Sequence, residues 1–291
     1  MTRLILSIAL KTKLLRRAVV LSLGLILFSS LHYFVLASSD ISDRIYSNKA
    51  SKIHVVTIPV DSNYTITPEV STNLIPLTQF VRQSKAIAAI NGGYFDPNNQ
   101  KTTSYITQES RLVADPRTNE RLIDNPDLKP YLGKILNRAE FRRYQCSKET
   151  RYDITLHSAT VPDGCILQDS LGAGPQLLPE DTSVVEGFTA YEGDKLIRNA
   201  IGVNSPNARS AVAITNRGDV MLVMVEQQSS NSGMSLPDLT AFLKKLGVTK
   251  AVNLDGGSSA SLYYKDEIHY GKSNQEGNKV QRPLKSVLVV R

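Results

Sequence analysis

The sequence contains 291 residues, of which 41% are apolar and 21% are charged, with no tryptophan and a formal net charge of +7. This composition is typical of a globular protein and excludes a disordered chain or a fibre. A chain of this length can form one large domain or two ordinary ones, and either buries enough apolar surface to fold without disulfide or metal cross-links.

The N-terminal segment, residues 1–37, has the pattern of an export signal. Basic residues extend to Arg17, residues 18–36 are apolar, and the small-residue motif Val35-Leu36-Ala37 follows. This order matches a cleaved signal peptide, while an uncleaved membrane anchor and a buried core helix are the alternatives. We expect an exported protein, either periplasmic, extracellular or anchored outside the cytoplasm, that meets the membrane only through this segment.

The positive charge of the chain is concentrated in the same segment. Residues 1–37 contain five basic residues and no acidic one, so removing those five charges lowers the net charge from +7 to +2. A nearly neutral body lacks the positive field that usually drives binding to a phosphate backbone. We therefore expect no nucleic-acid partner.

The folded body is expected to follow a polar tether. Residues 38–52 form the predicted tether and residues 53–291 the predicted domain. Segments 53–60 and 85–90 are apolar and rich in β-branched residues or alanine, which predicts strands. Helical spacing between them predicts a short helix with the apolar residues Leu74, Leu77, Phe80 and Val81.

Residues 96–151 are predicted to form a helical insertion. The segment is polar and charged, and Asn125-Pro126 is typical of a helix start. The apolar residues that follow are Leu128, Tyr131, Leu132, Ile135 and Leu136.

The C-terminal part has the most regular pattern. Two apolar runs, 211–215 and 220–225, are joined by a turn containing glycine and predict a hairpin. A helix is predicted to begin after Ser235 and to end at Gly247. Further strands are expected at 250–254, 259–264 and 284–290.

These elements together predict an α+β fold. The expected architecture is one mixed β-sheet with helices packed on it, plus the helical insertion, because strands outnumber helices and hairpins alternate with crossovers.

The chain has two cysteines, Cys146 and Cys165. An even number of cysteines in an exported protein predicts a disulfide. The alternative is a pair of buried free thiols.

We expect no metal and no cofactor. The histidines of the body, His54, His157 and His269, are widely spaced and form no His-x-x-x-His pair. The segment Gly172-Ala173-Gly174-Pro175 resembles a phosphate loop but lacks the third glycine of a dinucleotide motif and the Gly-Lys of a P-loop.

A first candidate for substrate binding is the turn that contains Asn91, Gly92 and Gly93. It directly follows the apolar segment 85–90. Two glycines allow the backbone to approach a ligand closely, and Asn91 offers hydrogen bonds. The alternative is a plain turn.

A second candidate is the turn that begins with Asp255. The carboxylate leaves an apolar strand and is followed by Gly256, Gly257 and Ser258. This setting favours a catalytic acid, base or nucleophile, with the serine and glycines at the substrate. The alternative is a structural Asx turn.

Two charged residues complete the candidate site. Arg209 opens the strand at 211–215, where a guanidinium suits two parallel hydrogen bonds to a phosphate. Glu226 ends the strand at 220–225, and paired carboxylates at strand ends are suited to glycosidic cleavage, so Glu226 is the predicted catalytic partner of Asp255. For either residue alone, a surface ion pair is the alternative.

Six segments in this order resemble the signatures of the phosphodiester glycosidase family, and the resemblance covers residues 53–291. They are Asn91-Gly92-Gly93-Tyr94-Phe95, Gly172-Ala173-Gly174-Pro175, Ala208-Arg209-Ser210-Ala211, Gly233-Met234-Ser235-Leu236, Leu254-Asp255-Gly256-Gly257-Ser258-Ser259, and Arg282-Pro283 with the strand that follows.

The resemblance implies hydrolysis of a sugar-1-phosphate diester at the anomeric carbon, in envelope or exopolysaccharide metabolism. The expected partner is thus a carbohydrate phosphodiester. One departure is the segment Glu226-Gln227-Gln228, where family members commonly carry an Asp-Gly-Arg-like turn. A glycan-binding envelope protein without catalytic activity is the alternative function.

Overall fold

The computed structural model describes residues 40–47, 51–229 and 231–291. The predicted leader lies outside these residues. Among the described helices, none is long and apolar enough to cross a membrane.

Antiparallel strands dominate the described structure and form four sheets. In spatial order, sheet I contains β1 (Ser42–Ser47), β2 (Ser51–Ile58), β14 (Val220–Gln227), β13 (Arg209–Thr215), β15 (Val248–Asn253) and β10 (Gln176–Leu178). Sheet II contains β17 (Glu267–Tyr270), β16 (Ser261–Tyr264), β4 (Ala88–Asn91), β18 (Leu284–Val290) and β3 (Ile66–Ile75). Sheet III contains β6 (Arg111–Ala114), β5 (Ile106–Gln108), β9 (Cys165–Gly172), β7 (Ala139–Cys146) and β8 (Glu149–Leu156). The hairpin β11 (Thr189–Glu192) and β12 (Lys195–Asn199) is the fourth sheet.

The described helices are few and short. The α-helices are α1 (Leu77–Ser84), α2 (Glu120–Ile123), α3 (Leu132–Ile135) and α4 (Leu236–Lys245). Single 3₁₀ turns cover Pro116–Thr118, Lys129–Tyr131 and Gly257–Ser259. Helix α4 begins as predicted, because the Ser235 side chain accepts a hydrogen bond from the backbone N–H of Asp238 at 3.2 Å.

The predicted α+β class is wrong: the described chain is a β-rich fold with several sheets in place of one mixed sheet. The helical insertion at 96–151 is part of the same error. It contains β5, β6, β7 and the start of β8, and its longest α-helices, α2 and α3, have four residues each.

Buried charges explain the error. Glu140 and Arg142 on β7 are both buried and lie 2.7 Å apart, while Arg143 pairs with Asp169 on β9. Charged residues are rarely buried unless they are paired, so this polar, charged segment predicts a helical insertion and not buried strands. Their pairing within sheet III allows strands to form there instead.

Three sheets enclose the central core. Its side chains come from sheet I, such as Val212 and Leu222, from sheet II, such as Ile90, and from sheet III, such as Phe141 and Leu171. Two further clusters cover the outer faces, where α4 packs on sheet I and α1 packs on sheet II. The site described below lies where strands of the first two sheets end.

The predicted hairpin is confirmed as β13 and β14, which pair from Arg209 opposite Val225 to Ile214 opposite Val220. The predicted tether region contains β1, which pairs with β2 at the edge of sheet I.

The predicted disulfide is also confirmed. Cys146 and Cys165 are bonded and lie opposite each other on β7 and β9.

Candidate active site

The ends of three strands are joined by the side chain of Asn91. This buried residue ends β4; its Oδ1 atom accepts hydrogen bonds from Ser210 Oγ at 2.7 Å and from the backbone N–H of Ser261 at 3.1 Å. Its Nδ2 atom donates to the carbonyl of Asp255 at 2.7 Å. Asn91, which was predicted to bind substrate, thereby fixes the turn that carries Asp255.

The glycines of the first motif lie against neighbouring backbone. A Cβ atom on Gly92 would come within 2.7 Å of the Ser286 carbonyl oxygen, and one on Gly93 within 2.2 Å of the Gly172 carbonyl oxygen. The close approach predicted for these glycines therefore occurs between chain segments. Ligand binding by Gly92 and Gly93 stays a prediction.

The second motif forms the turn after β15. The Gly256 backbone passes so close to Ala208 that a Cβ atom would lie 2.8 Å from its carbonyl oxygen, and Gly257 has a φ angle of +60°. Glycine allows both the close backbone approach and the positive φ angle without strain, because it has no Cβ atom. The turn leaves Asp255 and Ser258 half-buried at the surface of the site.

The surroundings of Asp255 raise its pKa to about 6. Burial is the largest cause, because it disfavours the charged carboxylate. A hydrogen bond with Ser259, the positive charge of Arg282 and the backbone N–H of Gly256 act in the opposite direction. The carboxylate is therefore ionised at neutral pH and much more basic than an ordinary aspartate.

Arg282 is the cation of this site, and sequence reasoning did not select it. Its Nη1 atom donates to Ser258 Oγ at 3.0 Å, and its guanidinium lies over the Phe95 ring, 5.2 Å from the centroid. Both Phe95 and Arg282 belong to the family-like segments, which was the available signal. A guanidinium in this position suits an anionic group held next to Asp255.

Arg209, which was predicted to bind the phosphate, is buried, and most of its N–H groups are hydrogen-bonded to the backbone. Its guanidinium donates four hydrogen bonds to backbone carbonyls, namely those of Ile201, Gly202, Ser205 and Met234, at 2.6–3.1 Å. Five N–H groups are available on an arginine, so one is left for another partner. Phosphate binding by Arg209 stays a prediction.

Tyr94 forms the layer beneath the turn and was also not selected from the sequence. Its hydroxyl donates to the Gly174 carbonyl at 2.8 Å and accepts from Asn253 Nδ2 at 2.7 Å. Burial, followed by the negative charge of Asp255, holds the pKa of Tyr94 well above its usual range. The phenol is thus a neutral support for the segment around Asp255.

Glu226 lies in a separate cluster of charged groups. Its Oε1 atom is 2.6 Å from His54 Nε2 and its Oε2 atom is 2.7 Å from Lys279 Nζ. Burial would raise the pKa of Glu226, but these two partners together lower it to about 2. The carboxylate is ionised throughout the neutral and mildly acidic range.

The structure brings Glu226 and Asp255 to one edge of sheet I without a common partner. Strands β14 and β15 both pair antiparallel with β13, so they run in the same direction and end at the same edge. Two strand spacings separate their backbones by about 10 Å. The groups that shift the pKa of one acid differ from those that shift the pKa of the other.

Comparison with known proteins places the whole site within one family. The family model for phosphodiester glycosidases matches residues 84–291, which include the motifs around Asn91, Asp255 and Arg282.

Curated relatives match over a short stretch. Sixty residues are 41% identical to bovine N-acetylglucosamine-1-phosphodiester alpha-N-acetylglucosaminidase and 37% identical to the human protein. The match covers 21% of this chain but only 11% of the bovine protein and 12% of the human one.

Solved structures share the fold over most of the chain. The zebrafish N-acetylglucosamine-1-phosphodiester alpha-N-acetylglucosaminidase catalytic domain superposes with a TM-score of 0.61 and 18% identity, covering 87% of this chain and 82% of that one. A Synechocystis protein gives 0.57 and 17% identity, covering 86% and 61%. A Burkholderia pseudomallei protein described as exported gives 0.58 and 15%, covering 82% and 74%. Since the family model accounts for more than half of the sequence, this chain belongs to the phosphodiester glycosidase family.

Proposed function

We propose that this protein is an exported hydrolase that cleaves the bond between the anomeric carbon of a sugar and the oxygen of a phosphodiester. The observation that carries the proposal is Asp255, a half-buried carboxylate with a pKa of about 6 that lies within the electrostatic influence of Arg282. Curated relatives named for the same bond type support the substrate class.

Asp255 acts on the sugar side of the bond. A general base works best when its pKa lies near the working pH, and the raised pKa of Asp255 meets this condition. Asp255 takes a proton from a water molecule while the water oxygen bonds to the anomeric carbon. The C–O bond breaks with its electron pair on the phosphate oxygen.

Arg282 and Ser258 act on the phosphate side. A phosphate monoester is a stable leaving anion, so it needs a fixed positive charge more than a proton. Arg282, held by Ser258 at 3.0 Å, supplies that charge where it develops in the transition state.

Glu226 is not required for this chemistry, because its two oxygens are engaged by His54 and Lys279. Its predicted role as catalytic partner can be tested separately with Glu226→Gln.

Export is supported by two observations. Cys146 and Cys165 form a disulfide, which is typical of proteins in oxidising compartments, and the structural neighbour from Burkholderia pseudomallei is described as exported. We expect a protein outside the cytoplasm, whose mature chain begins near Ser38 if the leader is cleaved. N-terminal sequencing after cell fractionation tests this, and a cytoplasmic protein starting at Met1 would contradict it.

The catalytic assignment is tested by turnover of Asp255→Asn on a panel of sugar-1-phosphate diesters. Removing a positioned base typically lowers the rate by about 10²–10⁴, so we expect a loss in that range with a normal melting temperature. The matched control is Asp266→Asn, because Asp266 is an exposed turn residue with a positive φ angle that asparagine tolerates. Equal turnover in Asp255→Asn and wild type would contradict the assignment of Asp255, whereas binding of the diesters without turnover by wild type would favour a glycan-binding function.

A further inference from the structure

Three residues outside the Asp255 site form a cluster of metal-ligand type. His54, Glu226 and His269 each offer one ligand atom, and these atoms all lie within 4.8 Å of one another. His54 is on β2, Glu226 is on the neighbouring strand β14, and His269 is on β17 in the opposite sheet.

The three side chains are held by regular structure. On sheet I, His54 is opposite Met224, so Glu226 is its diagonal neighbour on the same face. The His54 and His269 rings stack with 4.0 Å between centroids. His54 and Glu226 are buried, and the His269 side chain is 23% exposed. A site built on strands is positioned more rigidly than one on loops.

The separations between the ligand atoms are close to those of a metal site. Around a zinc ion with bonds near 2.1 Å, ligand atoms of a tetrahedral site lie roughly 3.4 Å apart. His54 Nε2 and Glu226 Oε1 are now 2.6 Å apart, and the full set spans 4.8 Å. Binding of one ion by all three residues requires Glu226 Oε1 to give up its hydrogen bond with His54. The two stacked imidazole rings must also turn so that a nitrogen lone pair of each points at the ion.

The remaining surroundings suit an open coordination site. Lys279 holds the outer oxygen Oε2 of Glu226, and such outer contacts orient metal ligands. Oε1 is hydrogen-bonded to His54, and an ion bound between the two would replace this hydrogen bond. A cavity of about 130 Å³ opens beside His54 and His269, large enough for water molecules as further ligands. Glu267, another residue of its wall, lies 3.6 Å from His269.

We propose that His54, Glu226 and His269 bind a divalent transition metal ion of the zinc class. Two imidazoles with one carboxylate are the ligand set of several zinc sites that keep a position open for water. Imidazole nitrogen favours zinc and its neighbours over magnesium or calcium, which prefer oxygen ligands.

A second His–Glu pair in the same chain shows why an ion pair alone is a poorer explanation. His157 Nδ1 lies 2.6 Å from Glu140 Oε1, and Arg142 occupies the other oxygen. Lys279 plays the same part beside Glu226. The ion pair of Glu140 is complete without a second histidine. At Glu226, the imidazole of His269 is stacked on that of His54 and adds a third ligand atom to the group.

The experiment is titration of the metal-stripped full chain with Co²⁺, followed by competition with Zn²⁺. We expect one ion per chain, visible d–d absorption of a low-symmetry site, and displacement of that absorption by Zn²⁺. His269→Gln should weaken the Co²⁺ affinity by more than about 10-fold, because it removes a ligand from a three-residue set. His157→Gln is the matched control and should bind Co²⁺ as wild type does.

Two results would overturn the proposal. One is the absence of a Co²⁺ spectrum with the wild-type chain, and the other is an equal Co²⁺ affinity for wild type and His269→Gln. His269 is partly exposed, so its substitution is the one least disruptive to folding, and circular dichroism of each variant confirms that binding is compared between folded chains. Neither result bears on Asp255, so the proposed hydrolase activity is tested independently.

Discussion

At the scale of single residues, the environment of Asp255 determines what the site can do. Burial raises the pKa of its carboxyl, the charge of Arg282 partly offsets this effect, and the resulting pKa is about 6. Asp255 as a base is active only when ionised, so kcat/KM should rise with pH through about 6. The charge of Arg282 thus influences the pKa of the base, Asp255.

This coupling predicts the pH dependence of Arg282 variants. Removing the positive charge in Arg282→Gln destabilises the Asp255 carboxylate, so Asp255 keeps its proton to higher pH. The acid limb of the pH profile of kcat/KM therefore shifts to higher pH. Arg282→Lys keeps the positive charge, so its acid limb should stay near the wild-type pH. Both variants should lose rate, because neither side chain has the planar guanidinium that can donate two parallel hydrogen bonds to the phosphate. The measurement is kcat/KM from about pH 4 to 8. An identical acid limb in wild type and Arg282→Gln would show that Arg282 does not act on the catalytic base.

Residue types near the site were partly predictable from the sequence. Asp255 and Asn91 stood out because each follows an apolar strand, and both lie at the joined strand ends. Arg282 was missed because Gln281-Arg282-Pro283 shows no secondary-structure pattern that would mark a site. His54 and His269 were dismissed because they are far apart in sequence, yet the pairing of strands and the stacking of two sheets bring their rings together.

At the scale of elements, the glycine motifs serve the contacts between strand ends. Gly92, Gly93 and Gly256 each place backbone where a side chain would collide with another segment. These contacts hold the Asp255 turn rigidly, and rigid positioning of a reacting group is itself a large part of catalysis.

The buried guanidinium of Arg209 is expected to stabilise the segment that precedes β13. Hydrogen bonds to a charged group are each worth about 1.5–3 kcal/mol, so Arg209→Gln, which loses most of four of them, should lower the free energy of unfolding by roughly 3 kcal/mol or more. Chemical denaturation measures this. Arg121→Gln is the control, because it removes an exposed pair with Asp96 that is worth at most about 1 kcal/mol.

The opposite result at Arg209 would favour its predicted role at the phosphate over a structural one. In that case Arg209→Gln would unfold like wild type and would instead raise KM for the diester several-fold.

Elements with strong local signals were predicted correctly from the sequence. The β13–β14 hairpin has a glycine turn between two apolar runs, and α4 has a serine cap with a clear apolar face. Sheet III was missed because Glu140, Arg142 and Asp169 are charged residues in buried positions. Such residues need their cross-strand or neighbouring partners to be known before they can be assigned to strands.

At the scale of the whole molecule, sheet III carries the disulfide at one end, and its other end lies next to the strand ends of sheets I and II that form the site. On β7, Glu140 lies opposite Gly172, which is in contact with Gly93 of the first motif, and Cys146 lies opposite Cys165. Six residues of strand separate the two positions by about 20 Å. Stability and activity should therefore respond separately to changes at the disulfide.

The double variant Cys146→Ser with Cys165→Ser tests this separation. Loss of a cross-link that closes a loop of 19 residues should lower the free energy of unfolding by roughly 3 kcal/mol. Turnover measured at a temperature where the variant is folded should equal that of wild type. A large fall in turnover by a folded double variant would show that sheet III transmits strain to the Asp255 turn.

The position of bond cleavage distinguishes a glycosidase from a phosphodiesterase. A sugar-1-phosphate diester that the protein turns over is hydrolysed in ¹⁸O-labelled water, and the products are analysed by mass spectrometry. Because water attacks the anomeric carbon in the proposed reaction, the label should appear in the released sugar and the phosphate monoester should remain unlabelled. A labelled phosphate would mean that the P–O bond is cleaved, and would contradict a glycosidase centred on Asp255.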